Sequence, residues 1–368
     1  MRKRKRLLVA AGILGLTLLS GCSGNAGKAG EECVGTAITQ LKTGDTGEFE
    51  PLLDQGIEAI SDEELYVLEF PEELRADYLD FLQEAFSCIK FEVSPAEEKD
   101  NGSYSVQVAF EPLDLAGTLQ ETSDAYLESM TGSDLGEEVS SLLSQSVDVL
   151  QTSPVFGEKT KVEIALEKEG DAFSVPEEEI QKLIEESMTD YMMPFKGICD
   201  VLDIKDFVQA FLDAAYKGEL DRYMEHTGST EEEAQAWYEA DGAFAPPVEL
   251  PSEYGERWTA ALKKILENCR YTVGIPRKEE GAFNYTVDVT VVPNRSLIDA
   301  MAELESGTYY DVASAGAAFV ETLERYAENP TYGEETTVTI SVNLETMLST
   351  DESSDFYILG ETICPASE

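Results

Sequence analysis

Residues 104–110 read Tyr-Ser-Val-Gln-Val-Ala-Phe, and residues 285–291 read Tyr-Thr-Val-Asp-Val-Thr-Val. Both stretches alternate apolar and polar side chains with a period of two, which is typical of a β-strand with one buried face. Each begins 16 residues after a cysteine, Cys88 in the first case and Cys269 in the second. The shared pattern predicts two copies of one structural plan.

The elements before these strands repeat in the same order. A first helix is predicted to end at Gly44 in one copy and at Gly218 in the other, with an acidic residue directly after each glycine. Glycine at this position is a common helix terminator. A second helix follows in each copy, with apolar side chains at helical spacing around Tyr78 and around Trp258.

The elements after the strands repeat as well. A broken pair of helices is predicted at about 115–151 and again at 296–328, and a strand follows each pair. A last short strand is predicted to hold Phe173 in the first copy and Phe356 in the second. Matched positions are offset by 174 to 183 residues, so the insertions fall in loops.

The repeat predicts the fold class. We expect an α+β protein of two similar domains, residues 31–190 and 195–368, each with helices packed on one face of an antiparallel sheet. The break at residues 193–195, Met-Pro-Phe, forms the predicted junction.

The N-terminus has the features of an export signal. A basic segment at residues 2–6 is followed by a 13-residue apolar run, which is shorter than a bilayer-spanning helix. The next residues, Leu-Ser-Gly-Cys at positions 19–22, resemble the bacterial lipobox. The resemblance implies a signal peptide over residues 1–21 and a lipid on Cys22, which would anchor the protein on the extracytoplasmic face of the cell membrane. The alternative is a secreted protein without a lipid. Residues 22–30 are predicted to form a flexible tether.

The charge excludes one class of partner. The chain of 368 residues has 74 Asp and Glu against 26 Lys and Arg, a formal net charge of −48. Loss of residues 1–21 removes five basic residues and no acidic one, which leaves −53. Nucleic acids bind proteins largely through Lys and Arg contacts to phosphate, so a nucleic-acid partner is excluded.

The order of the elements is similar to that of the NTF2-like (cystatin-like) domains found, often in tandem, in lipoproteins of Gram-positive bacteria. The similarity rests on the lipobox, on the turns at Gly44 and Gly218, and on element order. It implies a cone-shaped α+β domain with a cavity that binds a ligand or is filled by side chains. It implies no fixed catalytic residues, because such domains include enzymes, binding proteins and structural modules.

Few residues suggest chemistry. His226 is the only histidine, and it is either a general base oriented by Glu225 or Asp221, or a structural residue at a helix end capped by Gly228. We favour the structural interpretation.

The acidic runs 177–179 and 231–233 follow Pro176 and Thr230 and are predicted to be helix starts, not metal sites. No nucleotide-binding, metalloprotease or serine-hydrolase motif is present, so we predict no catalysis, cofactor or metal.

Aromatic residues supply the candidate binding surface. Trp237, Tyr238 and Phe244 lie close together in the sequence, and such side chains are favoured at binding hot spots. The alternative is that Trp237 belongs to the buried stripe of its helix.

Five cysteines follow Cys22, and an exported protein commonly forms disulfides. The corresponding places of the cysteines in the two copies predict bridges Cys33–Cys88 and Cys199–Cys269. Cys364 is an alternative to Cys199, and a fully reduced set is the other interpretation.

These observations predict a lipid-anchored extracytoplasmic protein that binds a small molecule, a peptide or an envelope protein partner without catalysis. One alternative is an NTF2-like enzyme in which a cavity carboxylate acts as acid or base, with a pKa above its ordinary value. A second alternative is a transporter-associated substrate-binding lipoprotein. Two sequential α+β copies argue against it, because those proteins close two α/β lobes around a ligand.

Overall fold

The structure is a computed structural model that describes residues 26–61, 66–132, 134–240, 244–246, 250, 252–279, 284–343 and 355–366. The predicted signal peptide at residues 1–21, the predicted lipidation site Cys22 and residues 23–25 of the predicted tether lie outside the described residues. The tether prediction is wrong for residues 26–30, which begin the first helix. The Ala96 N–H donates to the Gly27 carbonyl at 2.8 Å and docks this start of the helix.

The described chain up to residue 189 forms these elements: α1 (Ala26–Thr43), α2 (Glu50–Ser61), α3 (Arg75–Ser87), β1 (Glu92–Val93), β2 (Glu97–Glu98), β3 (Tyr104–Phe110), β4 (Leu113–Asp114), α4 (Leu115–Ser129), α5 (Leu135–Thr152), β5 (Thr160–Glu169), β6 (Ala172–Ser174), α6 (Glu177–Ser187) and β7 (Met188–Thr189). Short 3-10 turns at Thr46–Phe49 and Glu72–Leu74 precede α2 and α3.

The described remainder forms α7 (Met193–Lys217), α8 (Asp221–Thr227), α9 (Glu231–Tyr238), α10 (Ser252–Glu267), β8 (Arg270–Val273), β9 (Arg277–Lys278), β10 (Asn284–Val292), α11 (Ser296–Glu305), α12 (Val312–Glu328), β11 (Thr336–Asn343) and α13 (Asp355–Ile363). The protein is therefore α+β, as predicted, with helices packed against antiparallel sheets. No helix within the described residues is both long and apolar enough to span a membrane.

The chain divides into two compact units. Within the described residues, unit 1 comprises 26–56, 75–120 and 143–193, and unit 2 comprises 57–74, 121–142 and 194–366. Two segments of the first predicted domain, 57–74 and 121–142, therefore belong to unit 2. The predicted division into two uninterrupted stretches does not hold for these segments, because they pack with residues far away in the sequence.

The sheet of unit 1 is built around β3. Strands β1 and β5 flank β3, β2 also pairs with β3, and β6 pairs with β5, all antiparallel. Tyr104 lies opposite Leu166, and Val106 lies opposite Ile164. Val106 and Ile164 are buried, so the alternating face predicted for this strand forms part of the core. A separate short parallel pair joins β4 to β7.

The sheet of unit 2 has the same plan around β10. Strands β8 and β11 flank β10, and β9 also pairs with β10, again all antiparallel. Tyr285 lies opposite Val342, and Val287 lies opposite Ile340. Adding 181 to positions in β3 and 176 to positions in β5 reproduces these pairs, so the two sheets share their register.

The helices before each sheet bury an apolar face, α3 beside α1 and α10 beside α11 and α12. In α3 the residues Tyr78, Phe81 and Leu82 are buried at the predicted helical spacing, and in α10 so are Trp258 and Ile265. Each such side chain contributes about 1.5–3 kcal/mol of burial free energy. This spacing fixes which face of each helix is buried.

The turn after the first helix differs between the units. Gly218, after α7, has a φ of +69°, the left-handed conformation that glycine tolerates best. Gly44, after α1, keeps a negative φ, and its N–H still donates to the Gln40 carbonyl at 2.7 Å. Both helices end at the predicted glycine, but with different backbone geometry.

One predicted strand is wrong. Phe173 lies in β6 as expected, but Phe356 lies in α13. Its ring packs against Phe207 and Phe211, with ring centroids 6.4 and 4.9 Å away. These contacts hold a helix against α7 where the first copy has a short strand, and a single matched phenylalanine could not reveal the difference.

Candidate functional site

The candidate site is built on the middle of α7, which carries Asp200, Asp203 and Asp206 at intervals of three residues. Side chains at this spacing lie near one another on a helix surface. The surrounding sequence is apolar, and Asp203 is fully buried within it. A buried carboxylate is costly unless it has hydrogen-bond partners, so each of these groups needs an explanation.

Asp203 receives its partners from the backbone of another segment. Its Oδ1 accepts the N–H of Val67 at 2.9 Å and of Leu68 at 3.1 Å. Burial raises the pKa of Asp203, although nearby His226 and the two backbone donors oppose this effect. Asp203 therefore fastens the segment around residue 67 to α7 within unit 2.

His226 contacts two of these carboxylates. Its imidazole is fully buried; Nε2 lies 2.8 Å from Asp206 Oδ2, and Nδ1 lies 3.9 Å from Asp203 Oδ2. Neither Nδ1 nor Asp203 Oδ2 has a hydrogen-bond partner among the described residues. Two facing lone pairs would repel, so the arrangement favours a proton on one of the two atoms.

His226 lies in the last turn of α8, which Gly228 caps, as the structural interpretation predicted, but its partners and its burial differ from what was expected. The carboxylates beside the ring are Asp203 and Asp206, not Glu225 or Asp221, and the ring is buried instead of lying at a solvated helix end. Gly228 does cap α8, with a φ of +65° and an N–H that donates to Met224.

Asp200 is held by two tyrosines. The hydroxyl of Tyr66 donates to one of its oxygens, and the hydroxyl of Tyr285 donates to the other at 3.3 Å. Burial raises the pKa of Asp200 despite these donors. Burial also raises the pKa of Tyr285, helped by the negative charge of Asp200. The Tyr285 hydroxyl therefore stays protonated and acts as a donor at neutral pH.

Asp206 connects this buried cluster to a surface groove. Burial would raise its pKa, but hydrogen bonds from His226 and Arg222 outweigh burial and lower it, so Asp206 is ionised at neutral pH. Arg222 also pairs with Glu225. Asp206, whose side chain is 33% exposed, thus lies between the buried ring of His226 and solvent.

The groove lies between α7, the turn after it and the starts of α8 and α9, and its volume is about 540 Å³. We call it the acidic groove. Its charged lining consists of five carboxylates and one cation: Asp206, Asp213, Glu219, Asp221, Glu231 and Arg222. Arg222 already forms an ion pair with Asp206, and Lys217 already forms one with Asp213. The net field in the groove is therefore negative, and it favours a cationic ligand.

The predicted aromatic binding residues do not line this groove. Trp237 stacks on Tyr223 with ring centroids 4.5 Å apart and belongs to a packed cluster, as the alternative interpretation proposed. Tyr238 and Phe244 form an edge-to-face pair, and the Lys263 ammonium lies 5.0 and 4.7 Å from their rings. These three side chains are therefore engaged with one another or with the core.

The predicted disulfides are not formed; all five cysteines from Cys33 onward are free. The Cys33 thiol donates to the Phe173 carbonyl at 3.3 Å, and Cys88 donates to the carbonyl of Leu150. Similar places along the sequence therefore did not bring Cys33 and Cys88 together.

The second predicted pair is wrong for the same reason. Cys199 is buried in α7 with its thiol 3.9 Å from the Leu68 carbonyl, whereas Cys269 lies after α10. The sulfur that faces Cys269 belongs to Cys364, the alternative partner.

Within the part of the chain that the structure describes, no group of three or more His, Cys, Asp or Glu side chains is arranged to hold a metal ion. The acidic runs begin helices: Thr230 and Glu233 form a complete capping box at α9, and residues 177–179 form the first turn of α6.

Sequence reasoning missed Asp200, Asp203 and Asp206. The signal that points to them is their regular spacing inside an otherwise apolar helix, since charged residues seldom interrupt a buried stripe without a partner.

Comparisons with protein-family models, with curated proteins and with solved structures find no match to the chain.

Proposed function

We propose that the chain is a lipid-anchored protein on the extracytoplasmic face of the cell membrane that binds a cationic ligand and catalyses no reaction. The ligand is a small organic cation or a basic segment of a peptide or envelope protein. The observation that carries this proposal is the acidic groove of about 540 Å³, in which carboxylates outnumber cations. Carboxylates gathered around a concave surface attract and retain positive charge.

We further infer that the two units are copies of one NTF2-like domain. Their matched strand order and register support this inference. The copies differ at the site: with the offset of 174 residues between Gly44 and Gly218, the positions of Asp200 and Asp203 correspond to Ala26 and Ala29. With the same offset, the groove residues Asp206 and Glu219 correspond to Glu32 and Asp45, whereas Asp213 and Asp221 correspond to Thr39 and Gly47. Unit 1 therefore keeps only part of this set of carboxylates, and we assign binding to unit 2, where the acidic groove lies.

Calorimetric titration with spermidine and with a short lysine-rich peptide tests the groove, and the two probes distinguish a small cation from a peptide. The double variant Asp221→Asn/Glu231→Gln removes two groove charges, each from the first turn of a helix. We expect its affinity for the better probe to fall about 30-fold, because each of the two lost charges costs on the order of 1 kcal/mol at close range.

The matched control is Glu177→Gln/Glu178→Gln, which removes two charges from the first turn of α6 in unit 1. It changes net charge and the helix terminus to the same extent, and we expect no change in affinity. Equal losses in the two double variants would show that binding follows overall charge and would contradict the proposed groove.

The anchor has a separate test. Replacing Cys22 with Ala removes the lipid acceptor, and we expect the protein to appear in the culture medium. Retention of the Cys22→Ala protein in the membrane fraction would refute the lipid anchor without affecting the groove.

One observation favours the enzyme alternative: burial raises the pKa of Asp200 and of Asp203, as an acid–base carboxylate requires.

A carboxyl NMR titration in the presence of the better probe distinguishes acid–base catalysis from binding without catalysis. An acid–base role requires Asp200 to titrate above its ordinary value and to respond to the ligand. A ligand that perturbs only groove carboxylates such as Asp221 and Glu231 favours binding without catalysis.

A further inference from the structure

Two cysteines of unit 2 lie side by side at the end of the second sheet. Cys269 follows α10 and is almost fully buried, and Cys364 follows α13 and is partly exposed. Cys364 packs against a hydrophobic cluster that contains Trp258 and Ile265 of α10. The two residues thus share one packed environment although they are far apart in the sequence.

Asn294 holds both cysteines in place. Its backbone N–H donates to the carbonyl of Ile363, the residue before Cys364, at 2.8 Å. Its side-chain amide donates to the Ile265 carbonyl at 2.7 Å and lies 3.9 Å from Cys269 Sγ. Since Asn294 is fully buried, its position is fixed, and it fixes the approach of the two thiols.

The Cys269 thiol lies 4.0 Å from the Ile265 carbonyl, and the two thiols shift each other's pKa in opposite directions. A hydrogen bond from the Cys269 thiol lowers the pKa of Cys364, although burial opposes the effect. The same hydrogen bond, together with burial, raises the pKa of Cys269. A partly exposed thiol of lowered pKa beside a buried partner is the arrangement of an attacking and a resolving cysteine.

The other cysteines have no such arrangement. Cys33 and Cys88 are also partly exposed, but their thiols donate to backbone carbonyls, and burial raises the pKa of each. Cys199 is buried, and its pKa is raised as well. The three serve as internal controls for Cys364.

We propose that Cys269 and Cys364 are a redox-active dithiol that a small disulfide oxidises to a Cys269–Cys364 disulfide. The Cys364 thiolate attacks one sulfur of the external disulfide, whose S–S bond breaks and releases one thiolate. Cys269 then loses its proton to solvent and attacks Cys364, which releases the second thiolate. Two protein thiols are oxidised to one disulfide, and the external disulfide is reduced to two thiols.

The bond would fix α13 to the end of α10. In the reduced protein, α13 is held by the Asn294 contact, by a hydrogen bond from Tyr216 to the Gly360 carbonyl and by the packing of Phe356. A covalent link across so many residues restricts the unfolded chain strongly. We therefore expect the midpoint of thermal unfolding to rise by at least about 5 °C on oxidation.

The test uses the full chain, reduced and then exposed to oxidised glutathione at neutral pH. The reaction is quenched by alkylation and mapped by mass spectrometry. We expect a peptide pair joined through Cys269 and Cys364, while Cys33 and Cys88 are recovered alkylated. In the reduced protein, Cys364 should react with iodoacetamide about tenfold faster than Cys33.

Two variants separate the roles of the sulfurs. In Cys269→Ala the resolving thiol is missing, so Cys364 should accumulate as a mixed disulfide with glutathione. In Cys364→Ala, Cys269 should remain unmodified. Recovery of both cysteines as free thiols in the oxidised wild type, or glutathione on Cys33 and Cys88 as fast as on Cys364, would overturn the proposal. Because the wild-type map needs no substitution, a variant that fails to fold leaves the test intact.

Discussion

Strands β3 and β10 occupy the same place in their sheets, yet their surroundings differ. Tyr104 of β3 is half-buried, packs on Phe173 and lies beside Lys168. Tyr285 of β10 is 2% exposed, and its hydroxyl donates to buried Asp200. The backbone of the repeat is preserved, whereas the interior of unit 2 has gained polar groups.

The same contrast recurs at a second matched position. Leu113 in unit 1 and Asn294 in unit 2 are both fully buried and both form an isolated bridge, to Phe156 and to Tyr332. Leu113 needs no partner, whereas Asn294 organises Cys269 and the end of α13. At both matched positions, unit 2 buries a polar group where unit 1 does not.

The largest expected effect comes from Asp203→Ala. The change leaves the N–H groups of Val67 and Leu68 without their acceptor, and we expect the free energy of unfolding to fall by about 2–4 kcal/mol. Asp203→Asn keeps an acceptor oxygen and should cost less than half as much. Asp80→Ala, at an exposed position of α3, should change stability by less than about 0.5 kcal/mol. Denaturant unfolding measures all three; equal costs for Ala and Asn would contradict the role given to Oδ1.

The next effect is a pH dependence of opposite sign at two carboxylates of α7. The folded pKa of Asp200 is raised, so the folded state binds more protons than the unfolded state above about pH 3.9, and stability falls as pH rises through this window. The folded pKa of Asp206 is lowered, so its contribution is present above that pH and is lost on acidification. Each slope is at most about 1.4 kcal/mol per pH unit.

Asp200→Asn and Asp206→Asn separate these contributions. Unfolding free energies measured from pH 3 to pH 7 should show that Asp200→Asn removes the loss at higher pH, whereas Asp206→Asn removes the loss in acid. Shifts of the same sign in the two variants would refute the assignment.

A smaller and symmetrical effect is expected in the shared core. Ile164 and Ile340 are buried at matched positions of β5 and β11. Shortening each to Val should cost about 1 kcal/mol, because one buried methyl group is lost in similar packing. Thermal and denaturant unfolding measure both costs. A cost confined to one of the two variants would break the comparison between the sheets.

The smallest effect concerns the exposed charges beside the central strands. Glu97 and Glu98 of β2 occupy the places that Arg277 and Lys278 occupy in β9. The ion pairs Lys99–Glu163 and Arg277–Asp288 are solvent-exposed and contribute little. Lys99→Ala and Arg277→Ala should leave the midpoint of thermal unfolding unchanged within error in high salt. A clear loss there would show that surface charge, not the interior, distinguishes the units.

Much of the backbone was accessible from the sequence. Period-two alternation located β3 and β10, and helical spacing around Tyr78 and Trp258 located α3 and α10, because burial of one face imposes these periods. The last element of the second copy was wrong, since Phe356 packs on α7 in a helix.

The candidate site was far less accessible. Its partners come from distant segments: Tyr66 belongs to a stretch of the first half that packs in unit 2, and His226 lies on α8. Sequence periodicity describes which face of an element is buried, but it does not say which polar groups meet inside. The cysteine pairing failed for the same reason, because matched places in two copies need not be neighbours in space.

The most direct test of the assignment to unit 2 is backbone amide NMR of the full chain during titration with spermidine. We predict that the shifted amides lie in residues 206–235, which include the lining of the acidic groove, and that residues 32–56 of unit 1, which match 206–230, stay unchanged. Shifts spread equally over both stretches and over the first turn of α6 would contradict the account.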